Sequence, residues 1–366
     1  MVKEMADRWY KNKWLKRGLV VVGVCVIFVT ATGAWIYSLI DFEPSEFNEQ
    51  AQTESLPYLQ NAVNESRGRI LAVVTSHSVM GSSGYKTGYE LTELSRAYYV
   101  FTANGFEFDF ASPQGGKAPV VIDDGLNDFD YAFLNDEQIQ QRLDNSMALS
   151  DVNPDRYDAV YFVGGKGTMW DFVANESIQN LVKSMYQDDK IISAVCHGPA
   201  ALVDVKLDNG EYLVAGKQIT GFSNEEELTI IRDAREIFPF LLEDGLQAKG
   251  AQFIAGPTYL NTVVRDGQLI TGQNPWSVWE LTEEIIRGLG YEPIPRELTT
   301  EELGVQVVEH FHAGGVKAAL AHWEILEATT GQKVPSNFML LHGLVAAMQF
   351  KVGSAVGLLW LVESRT

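Results

Sequence analysis

From Gly68 onward, short runs of β-branched and aromatic residues alternate with segments of helical periodicity, and this alternation restricts the fold more than any other feature. Strands that alternate with helices build a mostly parallel sheet covered by helices. The sequence predicts strands at 70–75, 106–111, 159–163, 191–195, 218–220, 252–255 and 269–271. It predicts helices at 90–104, 178–187 and 276–289. We therefore expect an α/β fold that binds ligands beyond the carboxyl ends of its strands.

Glycine-rich turns follow three of the predicted strands. They are SPQGG at 112–116, GGKGT at 164–168 and CHGP at 196–199. Glycines at strand ends let backbone N–H groups approach a ligand closely, which favours a site where these turns meet. Neither a dinucleotide-binding motif nor a Walker motif is present, so nucleotide binding has no support.

The run at 18–40, GLVVVGVCVIFVTATGAWIYSLI, contains no charged residue. Its length matches a bilayer-spanning helix of about 20 residues. A basic segment, 1–17, precedes it and an acidic segment follows, which predicts a cytoplasmic amino terminus. We therefore expect a single-pass membrane protein that contacts the lipid bilayer through 18–40. Its main domain is expected outside the cytoplasm, in the periplasm if the source is bacterial. A cleaved signal peptide and a buried core helix are the alternatives.

Two further segments flank the α/β body. Residues 41–66, rich in Glu, Gln, Asn and Ser, are expected to form a stalk before a domain at 67–291. From 292 to 366 helical periodicity predicts a small all-α module with a packed hairpin over 338–362. Two Gly-then-Ala segments, 314–323 and 352–361, resemble tetratricopeptide units. We expect this module to bind a protein partner or to join two chains as a homodimer.

Composition limits the partners and cofactors. The formal net charge of −20 makes nucleic acid an unfavourable partner. The chain has two cysteines, Cys25 and Cys196, and because Cys25 lies in the apolar run we expect no disulfide. No zinc-type ligand cluster occurs, and His310 and His312 are interpreted as surface or interface residues. We expect neither a metal nor an organic cofactor.

Cys196 closes a predicted buried strand and is followed by His197 and then by Pro199 near the start of a predicted helix. This order places the thiol at a helix amino terminus, where backbone N–H groups and the helix dipole stabilise the reactive thiolate. His197 is suited to carry its proton. The alternative is a cysteine that only packs in the core, as most single cysteines do.

Acidic residues are the next candidates. Glu93 lies on the polar side of the helix predicted at 90–104, where a glutamate is ordinarily solvated. Glu225, Glu226 and Glu227 form a second acidic feature, which is typical of the charged start of a helix. From position and residue type alone, neither feature is tied to the thiol.

Six segments together carry a resemblance to a known family. They are KTGYELTE at 86–93, FDFASPQGG at 108–116, GGKGTMWD at 164–171, AVCHGPA at 194–200, TGFSNEEE at 220–227 and TGQNP at 271–275. They resemble the DJ-1/PfpI superfamily of class I glutamine amidotransferase-like proteins, in its glyoxalase III-like chaperone branch, over about residues 67–290. The resemblance implies a flavodoxin-like sandwich with a mostly parallel sheet.

The resemblance also implies roles for individual residues. Cys196 falls on the nucleophile, His197 on the adjacent histidine, and Glu93 on the helix glutamate that contacts the nucleophile and relays protons. The acid of a Cys-His-acid triad falls on Glu227, while its neighbours at 225 and 226 remain alternatives.

Three further residues are candidates for the pocket. Gly165 is expected to offer its backbone N–H to an oxyanion, as in related amidotransferase-like domains. Lys166 stands where close relatives commonly have histidine, and its cation either favours anionic substrates or points into solvent. His77, after the first strand, either lines the pocket or serves only as a turn residue.

The activity that the resemblance implies is that of a cofactor-independent glyoxalase III-like lyase of the D-lactate dehydratase type. Cys196 would add to the aldehyde of a 2-oxoaldehyde such as methylglyoxal. Glu93 and His197 would move protons through an enediol, and water would release a 2-hydroxy acid. The alternatives are a stress-related holdase chaperone in which Cys196 senses oxidation, and a Cys-dependent amidase or peptidase.

Overall fold

The computed structural model describes residues 13–41 and 47–365. These residues form two compact units. One unit is Ser45–Val305, and the other comprises the described residues of Met1–Pro44 together with Gln306–Thr366. The boundary falls within a long helix, Thr300–Thr330.

A seven-stranded sheet forms the centre of the larger unit. The strands of this unit are β1 (Gly68–Val73), β2 (Tyr89–Glu90), β3 (Phe106–Ser112), β4 (Val120–Val121), β5 (Met147–Ala148), β6 (Ala159–Phe162), β7 (Ile191–Val195), β8 (Gln218–Ile219), β9 (Gln252–Phe253), β10 (Val263–Asp266) and β11 (Leu269–Gly272). The sheet has the order β10-β11-β7-β6-β1-β3-β5, and only β10 within it runs antiparallel to its neighbour. The pairs β2–β4 and β8–β9 form two small sheets.

Helices connect and cover these strands. In chain order the helices of the described residues are α1 (Lys13–Ser38), α2 (Leu91–Ala103), α3 (Asp128–Asn135), α4 (Glu137–Asp144), α5 (Thr168–Asp171), α6 (Glu176–Gln187), α7 (Asn224–Ile230), α8 (Ala234–Ile237), α9 (Leu242–Ala248), α10 (Val278–Gly288), α11 (Thr300–Thr330), α12 (Ser336–Met348) and α13 (Val352–Glu363). Every residue of β6 and β7 is buried, as expected for parallel strands covered on both faces. The predicted flavodoxin-like α/β body is therefore present.

The strands and helices predicted from periodicity lie within a few residues of those observed. The sequence did not predict β2, β4, β5 and β10. The strands β5 and β10 lie at the two edges of the main sheet, and β2 and β4 pair only with each other, so each of the four pairs on one side only and leaves little periodicity. The helix expected after the nucleophile is also different. It is a five-residue 3-10 helix, Gly198–Leu202, with Pro199 in its first turn.

The prediction that 18–40 spans a membrane is wrong. The segment is helical as α1, but no helix among the described residues is both long enough and apolar enough to cross a bilayer. The end of α1 instead contacts protein: Trp35 Nε1–H donates to Glu363 Oε1 at 3.2 Å, and Leu39 is buried. Three further predictions depended on that span and are wrong with it. They are the single-pass topology, the lipid contact and the location of the main domain outside the cytoplasm. Most of the predicted basic segment, 1–17, lies outside the described residues.

Residues 47–66 of the predicted stalk pack against the α/β body. Leu56 and Tyr58 are buried, and Tyr58 lies in a short 3-10 helix, Pro57–Asn61. Val63 N–H donates to Ala103 O at 2.8 Å, at the end of α2. These apolar contacts, which the polar composition did not reveal, make this stretch part of the larger unit.

The smaller unit contains the predicted helical hairpin. The helices α12 and α13 pack closely, and the Cα of Gly343 faces Ala355 and Leu358 of the second helix. Gly315 has φ +72° inside α11, which marks a kink between two helical segments.

Candidate active site

Cys196 lies directly after β7 in a left-handed backbone conformation, with φ +57°. Its N–H donates to Gly272 O at 3.0 Å, and Phe222 N–H donates to Cys196 O at 2.7 Å. These two bonds hold a conformation that costs a non-glycine residue about 1 kcal/mol or more. The same sharp turn between strand and helix presents the nucleophile in hydrolase elbows.

The ring of His197 lies between the thiol and an acid. Nδ1 is 3.3 Å from Cys196 Sγ, and Nε2–H donates to Glu227 Oε2 at 2.6 Å. All three side chains are buried. With the Nε2 proton held by the carboxylate, Nδ1 presents a lone pair that can take the thiol proton.

Packing fixes the plane of the imidazole. His197 stacks on Phe222 with centroids 4.6 Å apart, and Phe238 lies parallel to it at 6.0 Å. Thr168 Oγ1 donates to the His197 carbonyl at 3.0 Å. The ring is therefore oriented by two aromatic faces and by Glu227 together.

Glu93, in the first turn of α2, is buried beside the thiol rather than solvated. Its Oε2 accepts from Gly164 N–H at 2.8 Å, and its carboxyl faces Cys196. Tyr161 Oη–H donates to the Glu93 carbonyl at 2.8 Å. Oε1 has no nitrogen or oxygen partner among the described residues, so it is available to a bound group.

Two glycines allow the loop after β6 to lie this close. A Cβ on Gly164 would come within 2.5 Å of Glu93 Oε2 and 2.8 Å of Cys196 Cβ. Gly165 has φ +95°, and a Cβ there would clash with Gly88 O and Glu90 N. Gly165 N–H lowers the pKa of the thiol, so it is positioned to donate to an oxyanion formed there.

Burial of the thiol favours its protonated form, contrary to the thiolate expected from sequence. Burial, followed by the Glu93 carboxyl, holds the pKa of Cys196 well above its usual value, while Lys166 and Gly165 N–H lower it. Burial also raises the pKa of Glu93 to about 8. The short 3-10 helix supplies too little dipole to outweigh burial.

Lys166 and His77 lie at the margin of this site. Lys166 Nζ is 2.5 Å from Asp123 Oδ2. His77 stacks on Trp170 with centroids 5.4 Å apart, and its Nε2 has no hydrogen-bond partner among the described residues. The His77 carbonyl lies against Gly167, which brings this turn next to the 164–168 loop.

The three consecutive glutamates of α7 have different environments. Glu227 contacts His197, whereas Glu225 is exposed. Glu226 is buried and accepts hydrogen bonds from four residues: Ser223, Tyr259, Gln273 and Asn274. Glu226 therefore anchors the loops around the site. Its local sequence signal is the Ser-Xaa-Xaa-Glu capping box from Ser223 to Glu226, whereas its contacts with Tyr259, Gln273 and Asn274 come from the fold.

Sequence reasoning also missed Glu90 and Asp123. Both Glu90 carboxyl oxygens accept from Asp123 N–H, at 3.3 and 3.1 Å, and burial raises the pKa of Glu90 to about 9. Asp123 lies in a short connection without periodicity, so only the fold brings it to Lys166. Among the described residues, no group of three or more His, Cys, Asp or Glu side chains is arranged to hold a metal ion.

Comparison with known proteins agrees with this architecture. The sequence pattern of the DJ-1/PfpI family matches residues 84–288. Glyoxalase 3 of Candida albicans is 30% identical over 227 residues, which cover 59% of this chain and 96% of that protein. Glutathione-independent glyoxalase HSP31 of Saccharomyces cerevisiae is 32% identical over 222 residues, 57% of this chain and 92% of that protein.

Solved structures resemble the same part of the chain. Rapid Encystment Protein 24 kDa of Francisella tularensis is 38% identical with a TM-score of 0.57, over 61% of this chain and 99% of that one. Glyoxalase III of Candida albicans is 29% identical with a TM-score of 0.55, over 61% and 98%.

Proposed function

The chain belongs to the DJ-1/PfpI family, and we propose that it is a glutathione-independent glyoxalase that converts a 2-oxoaldehyde such as methylglyoxal to a 2-hydroxy acid. Relatives of about 30% identity bear that name, and they align with the part of the chain that carries Cys196. The observation that carries the proposal is that two proton carriers, Glu93 and His197, lie against one buried thiol.

The reaction begins with addition of the thiol to the aldehyde. Cys196 Sγ bonds to the aldehyde carbon, its proton passes to His197 Nδ1, and the aldehyde oxygen takes a proton to become the hydroxyl of a hemithioacetal. Gly165 N–H stabilises the oxyanion that precedes this protonation. Because the resting thiol is protonated, a base in contact with it is required, and the Nδ1–Sγ distance of 3.3 Å provides one.

Proton transfer between two carbons follows. Glu93 removes the proton from the former aldehyde carbon and passes it to the neighbouring carbonyl oxygen, which gives an enediol. The hydroxyl on the thiol-bearing carbon then gives up its proton, the neighbouring carbon takes one, and the thiol-bearing carbon becomes the carbonyl of a thioester. The product is a thioester of a 2-hydroxy acid, which water hydrolyses to release the acid and the thiol. One carbon is oxidised and its neighbour reduced, so no external electron carrier takes part. A carboxyl whose pKa is about 8 is suited to both taking and returning a proton near neutral pH.

Amide hydrolysis is the second candidate. The Cys196–His197–Glu227 arrangement also favours acyl transfer, as in Cys-dependent hydrolases. Glu93 favours the glyoxalase reaction, because acyl transfer needs no second carboxyl on the thiol whereas moving a proton from carbon to carbon does.

The purified full chain, given methylglyoxal without glutathione, should release the 2-hydroxy acid lactate. Cys196→Ser should abolish this turnover, and Cys25→Ser, which removes the other cysteine, should retain it. If the chain cleaved amide substrates and did not consume aldehydes, the hydrolase function would replace the proposed glyoxalase function. Protection of unfolded clients by both variants, with no turnover by the wild type, would replace it by a holdase.

A further inference from the structure

Lys166 is a mostly buried cation held by an exposed carboxylate. Its side chain is 19% exposed, whereas that of its partner Asp123 is 52% exposed, and Nζ lies 2.5 Å from Asp123 Oδ2. Burial lowers the pKa of Lys166, but the Asp123 carboxylate outweighs that effect and leaves the pKa raised. The lysine is therefore charged, and the carboxylate that holds it is accessible to solvent.

The backbone of the same loop contacts the reacting groups. Gly164 N–H donates to Glu93 Oε2, Gly165 N–H lowers the pKa of the thiol, and Lys166 is the next residue. The Lys166 charge acts on both Cys196 and Glu227, which places its ammonium within electrostatic range of the reacting centre. A substrate bound to the thiol thus has a cation near it.

We propose that Lys166 Nζ binds an anionic group at the far end of the substrate, which makes a 2-oxoaldehyde carrying a carboxylate the preferred substrate. This inference rests on the proposed glyoxalase function and adds its substrate class. Asp123 holds the ammonium in the empty site, and the substrate carboxylate exchanges with it. A single ammonium paired with a single carboxylate matches a singly charged group, whereas a phosphate is ordinarily held by several donors.

The charge selectivity of the site can be measured without turnover. Iodoacetate and iodoacetamide alkylate the same thiol and have similar size, but only the first carries a charge. In a Cys25→Ser background Cys196 is the one thiol left. The rate ratio of iodoacetate to iodoacetamide should fall at least tenfold in Lys166→Gln and rise in Asp123→Asn. A substitution that changes the reactivity of the thiol towards both reagents alters both rates by the same factor, so the ratio of the two rates does not change.

The matched control is Lys217→Gln. Lys217 forms a comparable ion pair with Asp266 at 2.9 Å, but it lies directly before β8, outside the 164–168 loop. Its substitution should leave the alkylation ratio within twofold. Two results would overturn the proposal, whether or not the chain consumes aldehydes. One is an alkylation ratio that changes less than twofold in Lys166→Gln, and the other is an alkylation ratio that falls in Asp123→Asn.

The second measurement uses substrates. 4,5-Dioxopentanoate is a 2-oxoaldehyde with a terminal carboxylate, and its amide is a neutral equivalent. The ratio of their kcat/KM values should favour the acid in the wild type and fall at least tenfold in Lys166→Gln. If the wild type and Lys166→Gln had equal kcat/KM ratios and still consumed methylglyoxal, the proposed substrate class would be rejected and the proposed glyoxalase function would stand. Loss of all aldehyde turnover with the alkylation ratio as predicted would reject the glyoxalase and retain the anion site.

Discussion

His197 and Glu227 are joined by a 2.6 Å hydrogen bond, although thirty residues separate them in the chain. The bond commits one ring nitrogen to the carboxylate and leaves the other facing the thiol of Cys196 at 3.3 Å. The proposed chemistry depends on this orientation, because a base must be in place when the buried, protonated thiol attacks.

Glu227→Gln should lower kcat/KM for methylglyoxal about 100-fold with little effect on folding, because the amide no longer fixes the His197 tautomer. The measurement is steady-state kinetics alongside thermal unfolding. Glu225→Gln is the matched control, since Glu225 is exposed on the same helix, and it should keep wild-type kinetics. Equal losses in both variants would remove Glu227 from the proposed triad.

Glu93 should make the larger unit less stable as pH rises. Its folded pKa of about 8 lies above the ordinary 4.5, so the folded state keeps a proton that the unfolded chain releases. This stabilising contribution is complete below pH 4.5 and is lost as pH rises to about 8, by on the order of 5 kcal/mol at roughly 1.4 kcal/mol per pKa unit.

Urea unfolding at several pH values tests this dependence. Glu93→Gln should flatten the slope of unfolding free energy against pH between 5 and 8, and Glu225→Gln should not. Part of the slope should persist in Glu93→Gln, because burial also raises the pKa of Glu90 to about 9. An unchanged slope in Glu93→Gln would mean that this carboxyl is ionised in the folded protein.

Only the Cys196–His197 part of the candidate site could be read from local sequence, whereas Glu93 and Glu227 were expected only from the family resemblance. Cys196 and His197 are adjacent, and the strand before them is a continuous apolar run. The protonation of the thiol was not predictable, because burial and Glu93 come from elements distant in sequence. The Lys166–Asp123 pair was missed for the same reason: Asp123 carries no periodic signal.

The error at 18–40 has a different cause. The length of the run and its lack of charge predict a membrane span, and no feature of the sequence shows the contacts that its end makes. In the structure Trp35 bonds to Glu363, a residue that follows it by more than 300 positions. Contacts at such separation cannot be read from composition or periodicity.

His342 should make the smaller unit sensitive to acid. Burial, with His312 nearby, lowers the pKa of His342 from 6.5 to about 4, so unfolding takes up a proton below pH 6.5. Stability should fall as pH drops from 6.5 towards 4, by about 3 kcal/mol in all. Hydrogen exchange of α12 and α13, corrected for intrinsic rates, should quicken between pH 7 and 5. The variant His342→Phe keeps a ring against Phe338 and should show a smaller acceleration of exchange. Equal acceleration in the wild type and in His342→Phe would contradict the role of His342.

Gly164→Ala should damage both stability and activity. Its new Cβ would lie 2.5 Å from Glu93 Oε2, 2.7 Å from Val195 O and 2.8 Å from Cys196 Cβ, so two backbone-anchored neighbours cannot move aside. We expect a loss of about 2–3 kcal/mol in unfolding free energy, as for overpacking elsewhere, and turnover reduced at least 100-fold.

Gly125→Ala is the control, because no atom lies within 4 Å of its added Cβ. Calorimetry and kinetics on both variants provide the comparison. If Gly164→Ala retained wild-type turnover, the tight contact of this loop with Glu93 and the thiol would not be needed for the reaction.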